Sequence, residues 1–293
     1  MLPAMGEAGG PVTRRALLAG GAAGLVGLAV AGVAVGRGVL RDDDGPPGVI
    51  PSTTPGEVVS GTFESDARLG ATCGWAIAYP PGARRDLRVL VVLHGRGGDH
   101  TGAFGDYLGL HRFLAAAVRD GMAPYAIASV DGGDTYWHPR DSGEDSGAMV
   151  TDELLPMLRR RGLDTSRVAF TGWSMGGFGS LHVAGRLGAL RVAAVAAASP
   201  ALWHDAADTA PGAFDDAEDF AAHTVFGRQD ELAGIALRVD CGTSDPFYPV
   251  TEDYVASLTP EPSGGFQEGG HDVDYWRRIA PEQLAFIGMH LTA

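Results

Sequence analysis

The sequence contains no lysine and no asparagine, so all 22 of its Lys and Arg positions are arginine. The absence of lysine excludes Schiff-base chemistry, a pyridoxal phosphate anchor, a phosphate-loop lysine and a Ser/Lys dyad. The absence of asparagine excludes a Cys/His/Asn protease and N-glycosylation. Several reaction classes are therefore removed before any motif is considered.

Cysteine is scarce as well, because Cys73 and Cys241 are the only two in the chain. An oxidising compartment would allow them to pair. The sequence pattern places Cys73 in an early strand and Cys241 at the end of a late one. In the sheet expected below, these strands lie several positions apart, which is beyond disulfide reach. We therefore predict two free thiols.

Positive charge is in the minority, since 22 basic residues face 36 acidic ones and the formal net charge is −14. Such a protein repels phosphate backbones and anionic membrane surfaces, so we expect no nucleic acid partner. With 45% apolar and 20% charged side chains over 293 residues, the chain can bury one large core. We expect a single folded domain.

The first 36 residues have the layout of an export signal. Arg14 and Arg15 precede an uncharged run of mostly Ala, Gly, Val and Leu at residues 16–36, and paired arginines indicate the twin-arginine route. A retained transmembrane anchor is the alternative, although the glycine content makes a poor membrane helix. We expect a cleaved signal sequence over residues 1–36 and an extracellular or cell-envelope location. Membrane contact is expected only through an uncleaved signal segment.

The remainder divides into a linker and a domain. Residues 37–56 are rich in Pro, Gly and Asp and are predicted to be a linker, and residues 57–293 are predicted to be the folded domain. Within the domain, short β-rich runs alternate with longer helical stretches. This alternation is typical of an α/β fold with a mostly parallel central sheet and helices on both faces. The predicted strands cover residues 57–63, 72–79, 89–93, 125–130, 168–171, 192–197 and 235–241, and predicted helices include residues 151–160, 179–187 and 274–291.

A glycine-flanked serine follows one of these strands. Ser174 lies in Gly-Trp-Ser-Met-Gly-Gly, directly after the strand at 168–171 and before the helix predicted from Gly179. In a nucleophile elbow, the serine occupies a strained turn between strand and helix, and the residues two places on either side must be small. Gly172 and Gly176 meet this requirement. Ser174 is therefore the candidate nucleophile.

A second glycine-rich turn, His94-Gly-Arg-Gly-Gly, ends the most apolar strand. Glycines at this place let backbone N–H groups turn inward, where they can hold a negative oxygen. The candidate donors of an oxyanion hole are the N–H of Met175 together with that of Arg96 or Gly95. An ordinary strand-to-helix turn is the alternative reading.

The candidate acid and base come later in the chain. Asp245 follows the strand at 235–241, at the edge where an α/β sheet places its site residues, and His271 lies in a glycine-rich loop before the last helix. Asp240 is a rival acid, but it falls inside the alternating pattern of the strand and is expected to face a neighbouring strand or helix. The order Ser174, Asp245, His271 is the chain order of the α/β-hydrolase triad.

Aromatic residues are the candidate pocket lining. Trp137 belongs to the loop 131–138, which offers carboxylates and a histidine but lacks the ligand spacing of calcium or zinc motifs, so we expect no metal ion. The candidate substrate-binding residues are His94, Trp137, Trp173 and Trp203, with Phe247 and Tyr248 as further aromatic candidates.

With these motifs, residues 59–291 resemble the esterase D and antigen 85 branch of the α/β-hydrolases, which holds carboxylesterases, S-formylglutathione hydrolases and mycolyltransferases. The matching features are His94-Gly95, Gly172 to Gly177 with Gly179, Gly242 with Asp245, and Gly270-His271-Asp272 followed by Tyr275-Trp276.

The resemblance implies a serine carboxylesterase that acts through an acyl-Ser174 intermediate, on a small-molecule, lipid or sugar ester and without a cofactor. An envelope acyltransferase of the mycolyltransferase kind is the alternative. A non-catalytic binding protein on the same fold is a further one.

Overall fold

Eight strands form one sheet in the computed structural model, which describes residues 45–293 of the chain. The strands are β1 (Val58–Ser65), β2 (Ala71–Ala78), β3 (Arg88–Leu93), β4 (Ala126–Val130), β5 (Asp164–Trp173), β6 (Val192–Ala198), β7 (Ala236–Gly242) and β8 (Ser263–Gln267). Their order across the sheet is β1-β2-β4-β3-β5-β6-β7-β8. Strand β2 is antiparallel to both of its neighbours, and each neighbouring pair from β4 to β8 is parallel.

Helices cover both faces of this sheet. They are α1 (Leu110–Arg119), α2 (Ser146–Ala148), α3 (Leu155–Arg160), α4 (Met175–Leu187), α5 (Ala217–His223), α6 (Tyr248–Ala256) and α7 (Val273–Leu291). A wider π-helical segment, Met149–Leu154, joins α2 to α3, and two 3₁₀ turns occur at Ala206–Asp208 and Gln229–Leu232.

The two cores follow from the two-residue period of the strands. In β3, Val89 and Val91 point into the core that α3 and α4 cover, whereas Leu90 and Val92 point into the core under α1 and α7. Because both faces are buried, every residue after Arg88 in this strand is apolar. The predicted fold, an α/β-hydrolase sheet with helices on both faces, is confirmed.

The predicted strands agree with the observed ones to within a few residues, but β8 was not predicted. The sequence of β8 is Ser-Gly-Gly-Phe-Gln, which has neither the β-branched residues nor the alternation of a strand. It is an edge strand that pairs with β7 alone, so few side chains need to be buried there. Helix α4 begins at Met175, four residues before the predicted start. Its first turn was missed because Gly176 and Gly177 have low helix propensity.

The cysteines and the described part of the linker have definite places. Cys73 lies on β2 and Cys241 on β7, with four strands between them, and both are buried free thiols. Residues 45–57 form no helix or strand. They lie along the domain: Ile50 packs against the core under α7, and the Arg278 guanidinium on α7 donates to the carbonyl oxygen of Pro46.

Residues 1–44, which include the predicted signal sequence and part of the predicted linker, lie outside the described residues. Between residues 45 and 293, no helix has the combination of length and apolar character that is needed to cross a membrane.

Candidate active site

Ser174 occupies a strained turn between β5 and α4. Its backbone angles are φ 56° and ψ −121°, a region that residues other than glycine rarely adopt and that costs on the order of 1–3 kcal/mol. The close approach of the neighbouring chain explains the two flanking glycines. A Cβ on Gly176 would lie 1.9 Å from the carbonyl oxygen of Leu93, and one on Gly172 would lie 2.3 Å from that of Gly176. The strand, turn and helix expected around this serine are all present.

His271 lies between Ser174 and Asp245. The distance from His271 Nε2 to Ser174 Oγ is 2.9 Å, and that from His271 Nδ1 to Asp245 Oδ2 is 2.8 Å. With Nδ1 donating to the carboxylate, Nε2 carries the lone pair that faces the serine hydroxyl. The structure therefore brings together the three residues that the sequence placed far apart, in the geometry of a Ser-His-Asp triad.

Asp245 is held in place by its own surroundings. Its side chain is completely buried, and its Oδ1 atom accepts a hydrogen bond of 2.8 Å from the N–H of Phe247. The imidazole of His271 packs edge-on against Trp276, with ring centres 5.2 Å apart. A carboxylate and a ring fixed in this way can keep the base in one tautomer and one orientation.

Asp240, the rival acid, makes different contacts. Both of its carboxylate oxygens accept hydrogen bonds of 2.8 Å from the Arg238 guanidinium, and Oδ2 also accepts one from Gln283 on α7. The side chain is completely buried and faces helix α7, as its position inside the strand pattern indicated. Asp240 thus belongs to a structural ion pair and not to the Ser174 site.

The glycine turn after β3 lies against the serine turn. A Cβ on Gly95 would lie 2.7 Å from Nε1 of Trp173, and Gly98 closes the turn by donating to the carbonyl oxygen of Gly95 at 3.0 Å. Within residues 45–293 the N–H of Arg96 makes no hydrogen bond. Met175 is the first residue of α4, where an N–H has no acceptor in its own helix. The N–H groups of Met175 and Arg96 therefore remain candidate donors, with Gly95 as the alternative to Arg96.

Three predicted substrate-binding residues, His94, Trp137 and Trp173, are buried and need correction. His94 is completely buried: its Nδ1–H donates to the carbonyl oxygen of Gly95 at 2.8 Å, and its Nε2 accepts from the N–H of Gly132 at 3.0 Å. Burial lowers the pKa of His94, so the ring stays neutral. Trp137 is 1% exposed, and its ring fills the space left by Gly132 and Gly179. The side chains of His94 and Trp137 join loops beneath the site and cannot touch a ligand from solvent.

The other aromatic candidates lie nearer to the triad. The ring of Phe247 is 5.3 Å from that of His271, and Trp203 packs edge-on against Phe247 at 5.5 Å. The ring of Tyr136 lies 5.8 Å from that of Trp203. The rings of Phe247, Trp203 and Tyr136 are called the aromatic wall below. Trp173 is 5% exposed and supports the glycine turn from below. Of these rings, only Trp203 and Phe247 are partly exposed, and partly exposed aromatic rings near a triad suit an apolar acyl or aryl group.

Tyr136 was not among the predicted binding residues. Its backbone has φ 56°, a left-handed conformation that turns the ring toward Trp203. A Tyr-Trp dipeptide does not predict this conformation. Burial raises the pKa of the Tyr136 hydroxyl, and the nearby guanidinium of Arg96 opposes that rise. Arg96 therefore brings positive charge close to this wall in a strongly acidic protein. Tyr248, by contrast, contacts Phe266 and Glu252.

Comparisons with known proteins give a family and a shared fold. The family model described as "Putative esterase" matches residues 67–287. No curated protein matches the sequence.

Solved structures of low sequence identity share the fold. An S-formylglutathione hydrolase from Agrobacterium tumefaciens is 16% identical, with a TM-score of 0.67 over 82% of this chain and 98% of that one. A fluorophosphonate-binding serine hydrolase from Staphylococcus aureus is 17% identical, with a TM-score of 0.64 over 80% and 99%. A ferulic acid esterase from Anaeromyces mucronatus, solved with ferulic acid, is 18% identical, with a TM-score of 0.64 over 82% and 92%.

Proposed function

The chain belongs to this esterase family, and from that premise we propose that it is an exported serine carboxylesterase in which Ser174 is the nucleophile. The observation that carries the proposal is the double contact of His271, which lies 2.9 Å from the Ser174 hydroxyl and 2.8 Å from the Asp245 carboxylate. The paired arginines Arg14 and Arg15 support the export part of the proposal.

The proposed reaction is a two-step acyl transfer. His271 Nε2 takes the proton of the Ser174 hydroxyl as Ser174 Oγ attacks the ester carbonyl. The same proton then passes to the departing alcohol. Asp245 stabilises the imidazolium that forms and keeps Nδ1–H pointed at itself. Water then gives a proton to His271 and attacks the acyl-Ser174 carbonyl. The bond from the acyl carbon to Ser174 Oγ breaks, the free acid leaves, and His271 returns the proton to Ser174.

Backbone N–H groups would stabilise the negative oxygen of each tetrahedral intermediate. Those of Met175 and Arg96 are the proposed donors, and one such donor is typically worth a factor of about 10²–10³ in kcat. No step needs a metal ion or a cofactor, because nucleophile, base and donors all come from the protein. The proposed substrate is a small-molecule, lipid or sugar ester whose acyl part lies against Trp203 and Phe247.

An active-site-directed fluorophosphonate tests the proposal. The phosphonate should attach to Ser174, which is checked by peptide mass spectrometry, and Ser174→Ala should not react. Ser180 provides a matched control. It is buried in helix α4, which begins directly after Ser174, and its hydroxyl donates to the Gly176 carbonyl oxygen, so Ser180→Ala should still be labelled. A folded protein that takes up no probe would instead indicate a binding protein on the same fold.

Product analysis separates hydrolysis from transfer. With an activated ester and glycerol or trehalose as acceptor, the proposal predicts free acid as the main product. A predominance of acylated acceptor would favour an envelope acyltransferase. A series of p-nitrophenyl esters of rising acyl length would then define the acyl group that the aromatic wall accepts.

A further inference from the structure

Three histidines and one aspartate meet on the far side of the aromatic wall from Ser174. His138 lies in the loop after β4, His182 on α4, and Asp219 and His223 on α5. His223 Nδ1 is 2.7 Å from Asp219 Oδ1, and His138 Nδ1 is 3.7 Å from the same oxygen. These three donor atoms all lie within 4.8 Å of one another. The group joins side chains that are separated by up to 85 positions in the sequence.

Both ring nitrogens of His138 lie beside backbone carbonyl oxygens. The side chain is completely buried, and its Nε2 lies 3.0 Å from the carbonyl oxygen of Ala213, to which Nε2–H can donate. Its Nδ1 lies 2.9 Å from the carbonyl oxygen of Pro139, which can only accept. A neutral imidazole has one N–H, so a lone pair on Nδ1 would face an oxygen unless a proton or a metal ion lies there.

The arrangement has the features of a metal site. A histidine that binds a metal ion generally donates its other ring N–H to a backbone carbonyl or carboxylate, as Nε2 of His138 does to Ala213. The carboxylate of Asp219 is likewise fixed, since its Oδ2 accepts from the N–H of Asp215 at 2.7 Å. Imidazole nitrogens with one carboxylate oxygen favour Zn²⁺ and similar transition metals over Ca²⁺ or Mg²⁺.

His182 is a second, independent sign of a missing partner. It is 7% exposed, and its buried Nε2 makes no hydrogen bond within the described part of the chain. Its ring centre lies 5.6 Å from that of His223 and 6.2 Å from that of His138, and the latter two are 4.7 Å apart. With a metal–nitrogen bond of about 2 Å, two rings on one ion lie at most roughly 6.5 Å apart. His138 and His223 lie well within this limit, whereas His182 is close to it and is not among the side chains whose donor atoms lie within 4.8 Å of one another.

We propose that His138, Asp219 and His223 bind one divalent transition-metal ion of the Zn²⁺ class, with water as the remaining ligand. The ion would tie α5 and the segment before it to the loop after β4. It lies apart from the triad, because the ring of Phe214 packs between His138 on one side and Tyr136 and Trp203 of the aromatic wall on the other. The loop 131–138 alone gave no such indication in the sequence, since the other ligands follow it at a distance; the proposal revises the expectation that no metal is bound.

Titration of the chelator-treated full-length chain tests the site. Zn²⁺ should bind at one ion per chain by calorimetry, confirmed by elemental analysis after desalting. Co²⁺ in its place should give visible absorption bands of a four-coordinate site. The variants His223→Gln and Asp219→Asn preserve size and should each weaken Zn²⁺ binding at least 100-fold. The matched control is His204→Gln, which removes an exposed histidine paired with Asp253 and should bind like the parent.

Circular dichroism is the check that the variants are folded. The Zn²⁺-dependent rise in Tm is a second readout, which should disappear in His223→Gln and Asp219→Asn. The proposal is overturned if fewer than about 0.1 ions bind per chain at 100 µM Zn²⁺. It is equally overturned if both variants bind like the parent, because the ion is then on the surface. In the first case, the cluster is a set of packed side chains that binds no ion.

Discussion

Replacing Asp240 by alanine should destabilise the fold and leave catalysis intact, whereas replacing Asp245 should mainly lower kcat. Asp240 is completely buried and accepts three hydrogen bonds, two from Arg238 and one from Gln283. Removing one partner of a buried ion pair costs about 3–5 kcal/mol, because the other charge is left without compensation. Arg238 keeps an ion pair with Glu282 at 2.6 Å, so we expect the lower end, about 3 kcal/mol.

That loss converts to a measurable fall in Tm. For a domain of this size, 1 kcal/mol corresponds to about 2–4 °C, so Asp240→Ala should melt roughly 6–12 °C below the parent. Its kcat per folded molecule should stay within about twofold of the parent. Asp245→Ala should instead lower kcat by roughly 10³–10⁴-fold, because the imidazolium loses its partner.

The assay combines thermal unfolding followed by circular dichroism with turnover of one activated ester well below the melting range. Asp253→Ala is the matched control, since it removes an exposed carboxylate that is 67% accessible and, among residues 45–293, pairs with His204 alone; its Tm should change by less than about 2 °C. The reasoning fails if Asp240→Ala is as stable as the parent, or if it loses more kcat than Asp245→Ala.

Three further outcomes are expected. Burial raises the pKa of Cys241 to about 12, so iodoacetamide at pH 8 should leave the native thiol unmodified and label it only in guanidinium chloride; labelling of the native protein would contradict the buried position. Gly176→Ala should lower kcat at least roughly tenfold or prevent folding, because the new Cβ meets the carbonyl oxygen of Leu93, and parental activity would show that the turn can relax. Changing Arg14 and Arg15 to Lys should leave the precursor in the cytoplasm on cell fractionation, and normal export of that variant would exclude the twin-arginine route.

The parts of the fold that follow from sequence are those in which side-chain burial sets the pattern. The run at Val89 to Leu93 is apolar because both faces of β3 are covered, so its place in the centre of the sheet was predictable. Strand β8 could not be predicted in this way, since it is held by backbone pairing with β7 and contributes little to the core. The π-helical segment Met149–Leu154 was likewise hidden, because its sequence reads as ordinary helix.

In the candidate site, too, the residues set by local backbone contacts or burial were predictable, and those oriented by contacts between distant loops were not. Ser174 was identified from its glycines, which are required by close backbone contacts, and Asp245 was preferred to Asp240 because the strand alternation placed the latter under a helix. The substrate contacts predicted for His94, Trp137 and Trp173 do not fit their burial, since sequence position near the site does not reveal whether a side chain points to the pocket or into the core. Contacts between distant loops decide that direction, and no local pattern records them.

The most direct test of the account is the kcat of Ser174→Ala, His271→Ala and the double variant, measured on one activated ester, with each protein shown to be folded by circular dichroism. The account predicts that each single variant loses several orders of magnitude, with little change in KM, and that the double variant loses hardly more, because the two side chains act as one unit in the transition state. A folded Ser174→Ala protein that keeps more than about 5% of the parental kcat, or a double variant in which the two losses multiply, would contradict the assignment of these residues as nucleophile and base.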